Sequence, residues 1–250
     1  KLWRLLALIC LVCSSFGAAG YELYRWQEQS IQAEHAANLA AVAQLKTTQL
    51  LAWRQERLAD ARMNASGMVR YLSLQWLQNG RPEILEDVRQ RLQFFLENEG
   101  YLNMILADGN GRIRLSLLPR VTQLEQEEHD LLQQVVATKK AVLGDFFYCR
   151  NCRRIHINAA APVFDGDRVA LVLLLVADPQ RDLYPMIQSW PTAHGNAESL
   201  LVRRDGENAL LLNQPRHRSF NGLSFRYPLS NTASPAVQAV LGATGVVRGI

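Results

Sequence analysis

From Tyr21 to Gln78 the sequence has no proline and a single glycine, Gly67. A stretch with so few breakers excludes a turn-rich all-β start and favours a long helix. No charged residue occurs between Arg4 and Glu22. No basic stripe interleaved with aromatics is present, although the formal charge is +4; nucleic acid is therefore not an expected partner. GxSxG is absent, and His129, Asp145 and the serines show no spacing that would make a hydrolytic triad. No enzymatic activity and no cofactor are expected of this chain. Cysteine is scarce, four in 250 residues, which excludes a disulfide-rich scaffold.

What is present starts with an apolar run. Residues 3–24 hold about 17 uncharged residues, near the lower limit for a membrane-spanning helix. Lys1 and Arg4 precede it, which places the N-terminus in the cytoplasm and the rest outside. Two alternatives stand beside this reading: a signal peptide cleaved near Gly17-Ala18-Ala19, and a buried core helix. The sequence starts on Lys and stops on an apolar stretch, so further chain is expected beyond it.

Residues 25–82 read as a long amphipathic spine helix with a possible break near Gly67. Val42, Leu45, Ala52, Ala59 and Met63 form its expected packing face; Arg54, Glu56, Arg57 and Asp60 form its expected exposed side. Asn79-Gly80-Arg81-Pro82 ends it. Residues 83–97 predict a second helix, stopped by Gly100. Two β runs around Asp108-Gly109-Asn110-Gly111 predict a hairpin. A helix over 123–138 follows, then three β runs: AVLGDFFYC, RRIHINAAAPV and RVALVLLLVAD. A short helix within 181–190 closes the unit. This order predicts an α+β fold, with a five-stranded antiparallel sheet carrying helices on one face, a PAS-like module over 83–190. ESLLVRRDGENALLLN (198–213) repeats the strand-DG-strand pattern of 102–116. A second, incomplete module is expected over 191–250. Asn64-Ala65-Ser66 is a glycosylation sequon and reads as chance.

The strings LYPMIQSWPT (183–192), ESLLVRRDGENALLLN (198–213), RHR (216–218) and GATGVVRG (242–249) resemble the extracytoplasmic double-Cache sensor regions of bacterial membrane receptors. The resemblance implies two PAS-like modules on one long helix and a small-molecule ligand between sheet and helical cap. It also implies a homodimer, an integral membrane location and a periplasmic sensing region. The output it implies is foremost a histidine kinase of a two-component system. A diguanylate cyclase or phosphodiesterase receptor, and a tethered solute-binding module without output, are the alternatives. No residue here belongs to an output domain.

Cys149-Arg150-Asn151-Cys152 is the chemically distinctive motif. Outside the cytoplasm disulfides persist. With Arg150-Asn151 as a two-residue hairpin loop, Cys149 and Cys152 would face each other at disulfide distance. A local disulfide is the leading expectation. Zinc held by Cys149, Cys152 and His156 is the alternative. Covalent haem is excluded because Arg153, not histidine, follows the pair. A thioredoxin-like centre lacks its helix N-terminus. Candidate ligand-binding residues are Asp178, Tyr148, His156, Arg112 and Arg114. Asp178 has the competing role of a helix cap, and the others that of solvated surface.

Overall fold

The structure, a computed structural model, describes residues 2–150, 152–190, 197–215 and 223–246, without the side chains of residues 4–8. The expected boundary at Pro191 and the RHR string at 216–218 lie outside the described residues. The chain divides into two units, residues 1–46 with 244–248, and residues 47–243 with 249–250.

Helix α1 (Leu2–Asn64) takes up the predicted N-terminal segment and most of the spine. The expected spanning run includes residues 4–8, whose side chains are not described. Among the described residues no helix is long and apolar enough to cross a membrane. The helical run breaks at Ala65-Ser66 and resumes as α2 (Gly67–Asn79). Gly80, in the left-handed region, caps α2, and Pro82 opens α3 (Pro82–Glu99), which Gly100 caps in the same way.

The packing face of α1 is rotated from the expected one. Ala52, Ala59 and Met63 are exposed, while Trp53, Arg57, Asp60, Ala61, Asn64 and Ala65 are buried. Arg57 belongs inside because its guanidinium lies over the rings of Trp53 (6.0 Å) and Tyr101 (5.1 Å). It also pairs with Glu56 and with Asp60, 3.5 Å away. Two aromatic faces and two carboxylates offset the cost of removing that charge from water. Asn64 is also interior; its amide donates to the Asp60 carbonyl at 2.9 Å. A buried asparagine is no glycan acceptor, in keeping with a chance sequon.

Strands β1 (Asn103–Asp108) and β2 (Ile113–Ser116) form the predicted hairpin, and α4 (Gln126–Thr138) the predicted helix. The third β run splits into β3 (Val142–Leu143) and β4 (Phe147–Cys149) around Gly144-Asp145. Strands β5 (Arg154–Asp165) and β6 (Arg168–Ala177) and helix α5 (Leu183–Gln188) complete the unit. The sheet therefore has six strands rather than five, in the order β2-β1-β6-β5-β3, with β4 also on β5. The observed pairs are antiparallel.

Helices cover both faces of this sheet, not one. Met104 and Leu106 of β1 and Leu171, Leu173 and Leu175 of β6 cluster with Trp53, Val69, Val88 and Leu92 of the spine side. The alternate residues Ile105, Ala107, Val172, Leu174 and Val176 cluster with Leu131, Leu132 and Val135 of α4. Burial on two sides explains why β6 is apolar at nearly every position instead of alternating. Each such leucine contributes about 1.5–3 kcal/mol relative to exposure.

A separate three-stranded sheet follows: β7 (Val202–Asp205), β8 (Asn208–Leu211) and β9 (Arg226–Pro228), with α6 (Pro235–Val240). Its first hairpin turns at Gly206-Glu207, directly after Asp205, with Gly206 at φ 58°. The Tyr184 hydroxyl of α5 donates to the Leu212 carbonyl at 2.5 Å, and Arg203 pairs with Asp145.

Candidate functional site

On the α4 side of the large sheet lies a cavity of about 370 Å³. Asn103 and Ile105 of β1, His156 of β5 and Val176 of β6 are among its sheet residues. The segment 118–125 and the start of α4 supply another wall, and the β4–β5 turn a third. Asn103 fixes the covering segment. Its Oδ1 accepts the Leu118 N–H at 3.0 Å, and its Nδ2 donates to Ser116 Oγ at 3.0 Å. That hydroxyl in turn donates to the Leu118 carbonyl at 2.9 Å.

The N-terminus of α4 is closed by its own carboxylates. Glu125 and Glu128 form a reciprocal capping box, in which Glu128 Oε2 accepts the Glu125 N–H at 3.0 Å. Glu128 Oε1 accepts from Asn158 Nδ2 at 2.9 Å. Burial pushes the Glu128 carboxyl up, while these two donors favour its charged form. Arg120 and Arg154, both exposed, line the cavity as well.

The cysteine motif differs from its expected form. Cys149 pairs across the ladder with Arg154, not with Cys152. The connection therefore spans residues 150–153, with Arg153 in the left-handed region at φ 54°. Both thiols are unbridged, and the two extra residues take Cys152 out of the facing position that the expected two-residue hairpin gave it. The Cys152 N–H instead donates to Cys149 Sγ at 3.1 Å. Burial is the main cause that pushes the Cys149 thiol up to about 12. Its Sγ lies 3.9 Å from Glu125 Oε1.

His156 is 3% exposed and meets Phe147 edge-on at 5.8 Å. Neither ring nitrogen has a hydrogen-bond partner among the described residues. Burial lowers its pKa, against the attraction of Asp178, so the neutral ring is favoured.

Of the five sequence candidates for ligand contact, the cavity gathers only His156. Asp178 accepts the Gln180 N–H at 2.8 Å and lies 3.7 Å from Arg154, a turn-capping role. Arg114 is held on Asp108 by two hydrogen bonds of 3.0 and 2.7 Å. Arg112 is exposed at the hairpin end. Tyr148 is 45% exposed and lines a different, wider cavity of about 780 Å³ with Asp145, Arg203 and Arg226. Sequence reasoning missed Asn103, Glu125 and Glu128. The Glu-x-x-Glu spacing ahead of an apolar helical run is the signal that marks the last two.

No protein-family model matches the sequence, and no curated protein sequence does. Solved structures do match by fold. The sensory domain of the Campylobacter jejuni chemoreceptor Tlp3 superposes with a TM-score of 0.53 at 14% identity, over 65% of this chain and 68% of that one. The ligand-binding domain of Tlp3 in complex with 4-methylisoleucine gives 0.51 at 15% identity, over 62% of this chain. The present chain spans 63% of the length of that domain. A domain of a sensory box/GGDEF family protein from Vibrio parahaemolyticus gives 0.55 at 8% identity, over 73% and 72% of the two chains. At these identities the likeness establishes the fold, which is that of bacterial sensory ligand-binding domains, as the sequence resemblance implied.

Proposed function

We propose that this chain is the extracytoplasmic ligand-sensing region of a bacterial membrane receptor. In this reading the cavity beside His156 holds the sensed solute. The observation that carries it is the cavity itself. It has an apolar floor of Ile105 and Val176, a few buried polar groups, and a covering segment whose Leu118 N–H is held by the buried Asn103. Its volume of about 370 Å³ falls within the range of small-molecule sites. A solute trapped between sheet and cover would favour one packing of that cover over another, which is how binding becomes a signal. The apolar start of α1 would supply the membrane tether. The exposed residues Ala52, Ala59 and Met63 would serve a second copy of the chain. The strands β7–β9 would begin a second module.

Amino acids are the first solutes to test, because the Tlp3 domain is solved with one. Purified chain is screened by thermal shift and titration calorimetry. A binding solute should raise the melting temperature of the wild type and lose affinity in Val121→Trp, which fills the cavity from its cover. A solute bound equally well by the filled variant would overturn this location. Export is tested with a reporter active only outside the cytoplasm, fused after residue 100; activity confined to a cytoplasmic reporter would overturn it.

A further inference from the structure

Two thiols and an imidazole meet at one wall of the cavity. Ligand atoms of Cys149, Cys152 and His156 all lie within 4.8 Å of one another. In a tetrahedral zinc site, sulfur and nitrogen ligands bound at about 2.3 and 2.0 Å sit about 3.5–3.8 Å apart. The 4.8 Å limit exceeds that spacing by about 1 Å, the scale of a side-chain adjustment on binding.

Three further features fit a metal better than the alternatives. The Cys152 N–H points at Cys149 Sγ at 3.1 Å, and a backbone donor aimed at sulfur favours the thiolate that a metal binds. His156 is buried, with both ring nitrogens unpartnered among the described residues. A buried polar atom without a partner carries a desolvation cost that an arriving partner removes. A disulfide would account for the cysteines and leave the histidine unexplained. The carboxylate of Glu125, 3.9 Å from Cys149 Sγ, adds negative charge where a cation would sit. Arginine, not histidine, occupies position 153, so covalent haem has no ligand there. Cys149 ends a strand and neither cysteine opens a helix, so the helix N-terminus of a thioredoxin-like redox pair is missing.

We propose that Cys149, Cys152 and His156 bind a zinc-class divalent cation, with the fourth coordination position open to the cavity beside Glu125. Binding converts two thiols to thiolates and releases their two protons to solvent. The cation, its charge balanced by the two thiolates, ties the β4–β5 turn to strand β5 beside the first turn of α4. The proposal deepens the sensory reading and rests on it only for the consequence that this cation is the sensed solute.

The test titrates the full chain, reduced and metal-free, with Co²⁺ and then Zn²⁺. One equivalent of Co²⁺ should bind and give a sulfur-to-cobalt charge-transfer band, which Zn²⁺ displaces. Cys149→Ser and Cys152→Ser should weaken binding by more than about 100-fold, beyond the 10–100-fold typical of losing an outer-shell partner. Far-UV circular dichroism checks that each variant is folded. His156→Cys, which replaces one metal ligand with another, should keep stoichiometric binding and strengthen the charge-transfer band, whereas His156→Ala should lose it. Folded, reduced wild type that takes up no Co²⁺ would overturn the site. So would uptake that survives all three ligand losses. Amino-acid binding in the cavity without metal uptake would sink this inference and leave the sensory reading standing. Metal uptake without any change in hydrogen exchange over residues 117–125 would sink the sensed-cation consequence and leave a structural metal.

Discussion

The phenol of Tyr101 donates to Asp60 Oδ2 at 2.6 Å, wholly inside the protein. The bond joins the entry of β1 to the spine helix α1, and Arg57 lies over the Tyr101 ring in the same pocket. The aspartate thus has a neutral donor and a cationic neighbour, and desolvation alone would make it costly.

Tyr101→Phe keeps the ring and removes the donor. A hydrogen bond to a charged group contributes about 1.5–3 kcal/mol, so the variant should be destabilised by roughly that amount in urea unfolding, with an unchanged slope. Asp60→Ala should cost more, because it removes the acceptor of Tyr101 and also one of the two carboxylates paired with the buried Arg57. Equal and negligible losses in both would show that this pocket does not hold the spine.

This pocket also shows where the sequence was hard to read. The helix α1 was legible from its lack of breakers, but not its orientation. Arg57 and Asp60 count as surface residues in any hydrophobic pattern, and they lie inside because Trp53 and Tyr101 are there to receive them. Tyr101 is 41 residues from Asp60, so no local window links them. Hairpins turning on Asp-Gly were legible because the turn chemistry is local. The second layer of helices was written in β6, whose unbroken apolar run implies cover on both faces. Among the site residues, His156 and the cysteines were legible as chemistry. Asn103 was not, since its role is to hold a segment 15 residues away.

Asp108 anchors the β1–β2 turn and predicts an acid dependence. Partial burial works against its charge. The N–H groups of Arg112 and Asn110 and the guanidinium of Arg114 outweigh that and hold its carboxyl below the usual range. A depressed folded pKa means the stabilisation is present above the unfolded value, about 3.9. It is lost as pH falls through the folded value. Asp108→Asn should therefore be less stable than wild type at pH 7, by about 1–3 kcal/mol. The gap should narrow in urea melts below pH 3. A gap that is constant with pH would mean that the ion pair with Arg114 contributes nothing.

Gly144 separates β3 from β4 where the sheet meets α4. A Cβ there would sit 3.1 Å from Leu131 Cδ2 and 3.3 Å from the Asn158 carbonyl oxygen. The Gly144 N–H donates to that same carbonyl at 2.8 Å, so the backbone cannot easily back away. Gly144→Ala asks the leucine methyl and the Asn158 carbonyl each to give by a few tenths of an ångström. Gly144→Val adds branches against α4 and should cost about 1–3 kcal/mol, the usual scale of overpacking. Thermal melts of the two variants should rank wild type, alanine, valine. Valine as stable as wild type would mean that α4 is not seated tightly on this strand.

The cover of the cavity offers the sharpest local measurement. Asn103 is 2% exposed, and its amide is the link between β1, Ser116 and Leu118. In Asn103→Ala the Leu118 N–H loses its acceptor and the Ser116 hydroxyl loses a donor. The sheet itself keeps its ladder, because the Leu102 N–H still donates to the Val176 carbonyl at 2.8 Å. Opening should therefore be confined to the cover. Hydrogen exchange at Leu118 should accelerate markedly while exchange in β5 and β6 stays slow. Affinity for whatever occupies the cavity should fall with it, since the occupant must then order a segment that was ordered beforehand. Asn103→Asp separates the two halves of the link. It retains an acceptor for Leu118 and loses the donor to Ser116, so Leu118 should stay protected at neutral pH. If Asn103→Ala instead accelerates exchange uniformly through β5 and β6, the asparagine supports the whole sheet and is no latch on the cover.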